Sequence, residues 1–141
     1  MRYSMQDFTM FDYVKVLKMC RENKEESSPI PWDLKVDPYV YLTTDCKTFA
    51  MELDEVIVGY AIFFYREHHH YGKVIAIQDV MYVSPEHRGL ASIKFIKFIE
   101  SSLKELNVEG IIQTTTTKKD ISKLLERLDY KPVAVEYFKE I

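Results

Sequence analysis

The chain is poor in cysteine and lacks long apolar runs, and each shortage excludes a class of protein. Only two cysteines, Cys20 and Cys46, occur in 141 residues, which is too few for the disulfide framework of a small secreted domain. No apolar run reaches the length of about 18 residues that spans a bilayer. The opening MRYSMQDFTM lacks the apolar core of a signal peptide. These absences predict a soluble, cytoplasmic protein that carries reduced thiols and does not enter a membrane.

An excess of positive charge is also missing. The chain has 19 basic and 22 acidic residues and a net charge of −3, so its surface as a whole is not expected to bind nucleic acid. Apolar residues make up 47% of the chain and charged residues 29%, which argues for a real core and against disorder. Together with the length, this composition predicts a single domain over residues 1–141.

The periodicity of apolar residues predicts strands and helices in alternation. A short strand and a helical pattern that ends near Cys20 come first, and a second short helix is expected over residues 38–42. The β-rich runs TFAMEL, VIVGYAIFFYR and VIAIQDVMYV are joined by short polar turns and predict an antiparallel meander. A long amphipathic helix, a strand over residues 108–115, a last helix and a strand over residues 130–138 follow. The order β-α-α-β-β-β-α-β-α-β is that of a mixed α/β sheet with helices packed on it.

One of only four glycines stands where the long helix is expected to begin. In VSPEHRGLASIKFIKFIE, a strand ends at Val83, a turn carries Arg88 and Gly89, and the amphipathic pattern follows. A helix N-terminus has unpaired N–H groups and a partial positive charge, so it favours phosphate. Gly89 lets the backbone approach a ligand closely, and Arg88 adds a permanent charge. The same pattern is also typical of an ordinary connection between a loop and a helix.

The segment DVMYVSPEHRGLASIKFIKFIE resembles the signature segment of the GCN5-related N-acetyltransferases (GNAT). In that family a V-x-P-x-x-R-G turn joins a central strand to a helix whose first N–H groups hold the pyrophosphate of acetyl-coenzyme A (acetyl-CoA). The predicted element order and the ending LLERLDYKPVAVEYFK are similar to the family as well. The resemblance implies a GNAT-like fold over residues 1–141 and acetyl-CoA as the cofactor. It also implies that the cofactor is bound by Met81, Tyr82, Val83, Arg88, Gly89, Leu90, Ala91 and Ser92.

A carboxylate on the central strand is the usual base in the resembled family, and Asp79 is the candidate here. It lies four residues before Val83, so both side chains are expected on one face of the sheet. Asp79 also interrupts an apolar strand, where burial would raise the pKa of a carboxylate towards neutral. The alternative is a structural aspartate that bonds to a neighbouring loop or forms an ion pair. Gln78, on the opposite face, is the weaker candidate.

Five positions depart from the family pattern. Ala91, a mild change, and Ile93 stand where small or glycine residues are usual. Leu125 stands where a tyrosine often serves as the general acid, Asp129 where a glycine is common, and Lys118 near a place often held by asparagine. Tyr82, Tyr130 and Tyr137 are the candidates to replace that acid.

The leading hypothesis is an acetyl-CoA-dependent N-acetyltransferase that acts on a primary amine of a small molecule or a protein. The first alternative is a catalytically degenerate module that keeps the fold, and the second is an unrelated α/β adaptor, which would have no splayed central strands. The identity of the acceptor, the general acid and the oligomeric state, including a homodimer, stay open.

Two other features have both a functional and an ordinary interpretation. The run Glu67-His68-His69-His70 predicts a solvated hairpin, because adjacent histidines in a strand alternate faces and do not converge on one ion. Metal binding or a role in a substrate loop is the alternative. Lys118 and Lys119 are candidates to bind the 3′-phosphate of the cofactor, or they are solvated charges.

Overall fold

The computed structural model describes residues 3–7, 10–35 and 45–141 of the chain, with five strands and three helices in this part. The elements in chain order are β1 (Tyr3–Asp7), α1 (Met10–Ser27), β2 (Cys46–Leu53), β3 (Val56–His68), β4 (Lys73–Val83), α2 (Leu90–Glu105), β5 (Gly110–Ile112) and α3 (Ser122–Arg127). A single 3₁₀ turn over Pro85–His87 joins β4 to α2.

The described strands form one mixed sheet in the order β1-β2-β3-β4-β5. The first four strands are antiparallel, and β5 runs parallel to β4. The predicted mixed sheet and its antiparallel meander are therefore confirmed. A two-residue turn of Asp54 and Glu55 connects β2 to β3, and both residues have positive φ angles, 51° and 66°. Such a turn matches the right-handed twist of the strands on either side of it.

Both faces of the sheet are covered by a helix. The α2 face is closed by Phe95, Ile99 and Leu103, which are completely buried against side chains of β2, β3 and β4. The opposite face is closed by Val16, Met19 and Cys20 of α1. The middle strands are therefore apolar on both sides, which explains why β3 reads as a nearly continuous apolar run rather than an alternating one.

One predicted boundary in the first half of the chain is replaced by another. Helix α1 extends to Ser27 instead of ending near Cys20, because the charged segment RENKEE contains good helix formers and does not break the helix. The helix expected over residues 38–42 lies outside the described residues.

The last strand predicted from the sequence is wrong. Residues 128–141 contain neither helix nor strand, and Val133, Val135 and Tyr137 are 79%, 79% and 94% exposed. The strand expected over residues 108–115 shortens to the three residues of β5. Alternating apolar residues favour an extended chain, but a strand also needs a neighbour that pairs with its backbone. No helix in the described part of the chain is long and apolar enough to cross a membrane.

We expect Phe95→Ala to lower the free energy of unfolding by about 3–5 kcal/mol, since it opens a cavity in a closed core. The replacement Lys94→Ala, on the exposed side of the same helix, should change it by no more than about 0.5 kcal/mol. Urea unfolding followed by circular dichroism measures both values. Equal unfolding midpoints for the two variants would show that α2 does not close the core.

Candidate active site

The pairing between the parallel strands β4 and β5 ends partway along β4. The ladder between β4 and β5 joins Ile75–Ile77 to Gly110–Ile112 and ends there, whereas β4 continues to Val83. Just past the ladder, the backbone N–H of Thr114 donates to the side-chain Oε1 of Gln78 at 3.1 Å instead of to a strand carbonyl. Along its second half β4 therefore has no described strand partner on the β5 side. An extended ligand can pair with a strand edge of this kind.

A β-bulge lies at the point where the strands separate. Ile62 of β3 pairs with Val80 and Phe63 pairs with Gln78, so Asp79 is the extra residue of the bulge. A bulge re-aims the side chain at the extra position, and the simple alternation that put Asp79 and Val83 on one face does not hold through it. Asp79 is also exposed, so the expected burial of this residue is wrong. The bulge places an exposed aspartate at the start of the gap.

The charge of Asp79 acts on two thiols of the α1 face. Burial, followed by the charge of Asp79, raises the pKa of Cys46 to about 11. Burial raises the pKa of Cys20 as well, and Asp79 adds to the effect. Both cysteines belong to the cluster under α1 or pack against it. The carboxylate of Asp79 therefore lies close to this face, and neither thiol is a nucleophile at neutral pH.

The end of β4 divides its side chains between the two faces. Met81 and Val83 pack into the cluster under α2, whereas Tyr82 packs into the cluster under α1. The hydroxyl of Tyr82 donates to Oε2 of Glu22 at 3.1 Å. Burial and this bond raise the pKa of Tyr82 to about 12. Tyr82 therefore keeps its proton and is a poor source of protons for a departing group.

Gly89 starts α2 in a conformation that favours glycine. Its φ is 96° and its ψ is −128°, and no side chain caps the helix there. A Cβ atom built on Gly89 would have no neighbour within 4 Å, so the space beside the backbone is open. Leu90 is 76% exposed, and the first turn of the helix contains no acidic residue. These are the features of an anion-binding helix N-terminus.

Ile93 in α2 and Leu125 in α3, which both depart from the family pattern, have different surroundings. Ile93 is half-buried, and its N–H donates to the carbonyl of Gly89 at 3.2 Å as the first hydrogen bond of α2. Leu125 is buried. The position expected for a tyrosine acid is therefore occupied by a core side chain.

The two other tyrosines proposed as the acid are Tyr130 and Tyr137. The first is hydrogen-bonded and the second is exposed. Gln113 Nε2 donates to the hydroxyl of Tyr130 at 3.2 Å, and burial raises the pKa of Tyr130. Tyr137 is 94% exposed in the segment without regular structure. Tyr82 and Tyr130 therefore have hydrogen-bonded hydroxyls and raised pKa values, and Tyr137 lies outside the regular structure around the gap.

An ion-pair network that sequence reasoning missed connects α1 to the start of α2. Arg88 Nε donates to the carbonyl of Val83 at 2.8 Å, and one terminal nitrogen donates to both carboxylate oxygens of Glu26 at 2.7 and 2.9 Å. Lys119, in the loop before α3, forms an ion pair with the same Glu26. Partial burial opposes ionisation of Glu26, but the bonds from Arg88 and Lys119 outweigh it and hold its pKa below the ordinary value.

The aromatic ring of Tyr82 lies under both cations of this network. The guanidinium carbon of Arg88 is 5.5 Å from the ring centroid, and Nζ of Lys119 is 5.8 Å from it. These are distances at which cation–π attraction operates. The sequence contained one signal for the network: the spacing of Glu22 and Glu26 by one helical turn, which places both on one side of α1 if the helix continues.

A groove of about 560 Å³ lies between α1 and the end of β4. Its charged side chains are one lysine, Lys18, and four glutamates, Glu22, Glu25, Glu26 and Glu86. The balance of charge in the groove is negative, which favours a cationic ligand on this side of β4.

The histidine run forms the tip of the β3–β4 hairpin. The rings of His68, His69 and His70 pack on one another, with centroids 4.0–5.6 Å apart. Within residues 3–7, 10–35 and 45–141, no group of three or more His, Cys, Asp or Glu side chains is placed to hold a metal ion. The hairpin lies at the opposite end of β4 from Val83 and takes no part in the gap.

Comparison with known proteins gives both a family and a fold. A sequence profile of the Acetyltransferase (GNAT) family matches residues 14–120. A comparison with curated proteins gave no match. The ribosomal-protein-alanine N-acetyltransferase from Brucella melitensis biovar Abortus 2308 superposes with a TM-score of 0.79 at 15% identity, over 100% of both chains.

Two further solved structures have the same fold. The aminoglycoside acetyltransferase meta-AAC0020, from an uncultured soil metagenomic sample, has a TM-score of 0.78 at 14% identity, covering 99% of this chain and 96% of that one. AAC(6')-Iy, solved with the bisubstrate analogue CoA-S-monomethyl-acetylneamine, has a TM-score of 0.73 at 16% identity, covering 100% and 99%. Since the family profile spans most of the residues and the arrangement of strands and helices agrees with it, the chain belongs to the GNAT family of acetyltransferases.

Proposed function

We propose that the protein is an acetyl-CoA-dependent N-acetyltransferase, contained in one domain over residues 1–141, that acts on a primary amine. The observation that carries the proposal is the uncapped N-terminus of α2, which opens into unfilled space directly behind the separated end of β4. A diphosphate needs several N–H donors and local positive charge, and a pantetheine chain needs a strand edge with which to pair. Both are present within residues 81–92 of the chain.

The cofactor would be held by the end of β4 and the first turn of α2. The backbone N–H groups of residues 89–92 would bind its diphosphate, and the backbone of residues 81–83 would pair with the pantetheine arm. The small side chain at Ala91, which is buried, leaves the first turn narrow. Acetyl-CoA supplies a thioester as the acetyl donor. Arg88 and Lys119 are the nearby cations, and they suit phosphate oxygens.

Asp79 would accept the proton of the acceptor amine. An ammonium group must lose a proton before its nitrogen attacks a carbonyl carbon, and a carboxylate within reach of the amine, directly or through one water, serves this purpose. The exposure of Asp79 at the bulge favours the route through water. Backbone N–H groups along β4 would stabilise the negative charge that develops on the carbonyl oxygen.

The acceptor side is the groove between α1 and β4. An amine is cationic before it reacts, and the negative balance of charge in this groove favours its approach. One structural neighbour is an aminoglycoside acetyltransferase, and an aminoglycoside carries amino groups, which is consistent with an acceptor of this charge. The product would be an amide without that positive charge.

The alternative is a module that binds the cofactor without catalysis. It is favoured by one observation: Leu125 is buried, and the sequence resemblance implies a tyrosine acid at this position in many of the resembled enzymes. A transfer without that acid requires the thiolate to leave directly or to take its proton from water. Release of free thiol from acetyl-CoA in the presence of a panel of amines, followed with a thiol reagent, separates the two cases.

We expect Arg88→Ala to raise the dissociation constant of acetyl-CoA about tenfold or more, because a charge-assisted hydrogen bond contributes roughly 1.5–3 kcal/mol. Isothermal titration calorimetry measures the effect. Arg66→Ala is the matched control. Arg66 is exposed near the end of β3 that forms the hairpin with β4, far from Val83, and its replacement should leave the dissociation constant of acetyl-CoA unchanged. Equal affinities for the two variants would remove Arg88 from the cofactor site.

We expect Asp79→Asn to lower kcat by about 100-fold or more, the usual contribution of a positioned base, while the affinity for acetyl-CoA stays within twofold. The wild-type rate should fall as the pH drops through the pKa of the base, and Asp79→Asn should lose this dependence. Steady-state kinetics between pH 5 and 9 on the best amine of the panel give both readouts. Unchanged kcat with an unchanged pH profile would assign Asp79 a structural role.

A further inference from the structure

We propose that Glu26 is an internal anion that competes with the phosphates of the cofactor for Arg88 and Lys119 and so limits how tightly the cofactor binds. The inference rests on the proposed function, because it concerns the same end of β4. It adds a residue of α1 that neither the family resemblance nor the sequence pattern assigned to the site.

The contacts of Glu26 are those that a bound phosphate would have. Both of its carboxylate oxygens accept from one terminal nitrogen of Arg88, at 2.7 and 2.9 Å, and Lys119 pairs with the same group. Arginine and lysine bind phosphate oxygens with the same donors that they offer to a carboxylate. A phosphate that approaches these two cations therefore has to replace Glu26 as their partner.

The ion pairs join three separate parts of the chain. Glu26 belongs to α1, Arg88 precedes α2, and Lys119 lies in the loop between β5 and α3. The backbone of Lys119 is held by Thr116, since its N–H donates to Thr116 Oγ1 at 3.0 Å and its carbonyl accepts from the N–H of Thr116 at 3.3 Å. An exchange of partners at Lys119 therefore involves its side chain and leaves its backbone in place.

The exchange is accessible because the three side chains are only partly buried. The side chains of Arg88, Glu26 and Lys119 are 31%, 30% and 28% exposed. Ion pairs at this depth are weak enough to be exchanged against a ligand. After the exchange Glu26 faces Glu22, Glu25 and Glu86 of the groove without its two cations, and this repulsion counts against the bound state.

The test compares two glutamates of the same groove. Glu26→Gln removes the competing charge, and Glu25→Gln removes an equal charge one residue away. Calorimetry with acetyl-CoA should give a dissociation constant roughly three- to tenfold lower for Glu26→Gln, the range that corresponds to a partly exposed ion pair. For Glu25→Gln the constant should change by less than about twofold. S-acetylpantetheine, which carries no phosphate, should bind all three proteins equally.

Three results would overturn the competition. The first is weaker binding of acetyl-CoA by Glu26→Gln, which would mean that Glu26 orients the two cations for the phosphates. The second is an equal gain in both variants, which would reflect general charge alone, and the third is an equal gain with S-acetylpantetheine. Circular dichroism checks folding, and Glu26→Asp, which keeps the charge but shortens the reach, is a second variant that should bind more tightly than wild type.

The result also separates this inference from the proposed function. If the wild-type protein binds acetyl-CoA and Glu26→Gln binds it no more tightly, the competition fails and the proposed function stands. If the wild type does not bind but Glu26→Gln does, the competition is supported in its strongest form. If neither protein binds acetyl-CoA, the proposed function fails and the competition fails with it.

Discussion

The separation of β4 from β5 after Ile77 is the constraint on which the site depends. While the two strands are paired, the backbone groups of β4 that face β5 are used by the sheet; beyond the ladder β4 keeps β3 as its partner and has no described strand on the other edge. The same stretch of chain then turns through Arg88 and starts α2 with an uncapped glycine in open space. A strand edge and a helix N-terminus in direct succession would suit a long ligand that ends in phosphates.

The bulge at Asp79 and the network around Glu26 lie at the two ends of this candidate site. The bulge makes Asp79, the proposed base, an exposed residue at the point where β4 and β5 separate, so backbone geometry rather than burial determines its surroundings. At the other end, the network ties α1 to the cations beside α2. In the proposed competition, the carboxylate of Glu26 pairs with Arg88 and Lys119 until a phosphate replaces it.

Much of the fold follows from the sequence, and the exceptions have identifiable causes. The meander and α2 follow from apolar periodicity, and the turn at Arg88-Gly89 follows from its glycine and its place after a strand. The exposure of Asp79 did not follow, because a bulge depends on how two strands pair and leaves no mark in a single strand. Glu26 was not assigned to the site because the charged residues after Cys20 were expected to end α1, whereas the helix continues to Ser27. The strand expected over residues 130–138 did not form because apolar alternation does not supply a strand to pair with.

The central claim is that the first amides of α2 bind the diphosphate of acetyl-CoA, and an NMR titration tests it most directly. In ¹H–¹⁵N spectra of the labelled protein, stepwise addition of acetyl-CoA should shift the amide signals of Gly89, Leu90, Ala91 and Ser92 the most. Signals of the β3–β4 hairpin around His69 should stay in place. Saturable shifts that leave these four amides unmoved, or the absence of any shift at millimolar acetyl-CoA, would contradict the account.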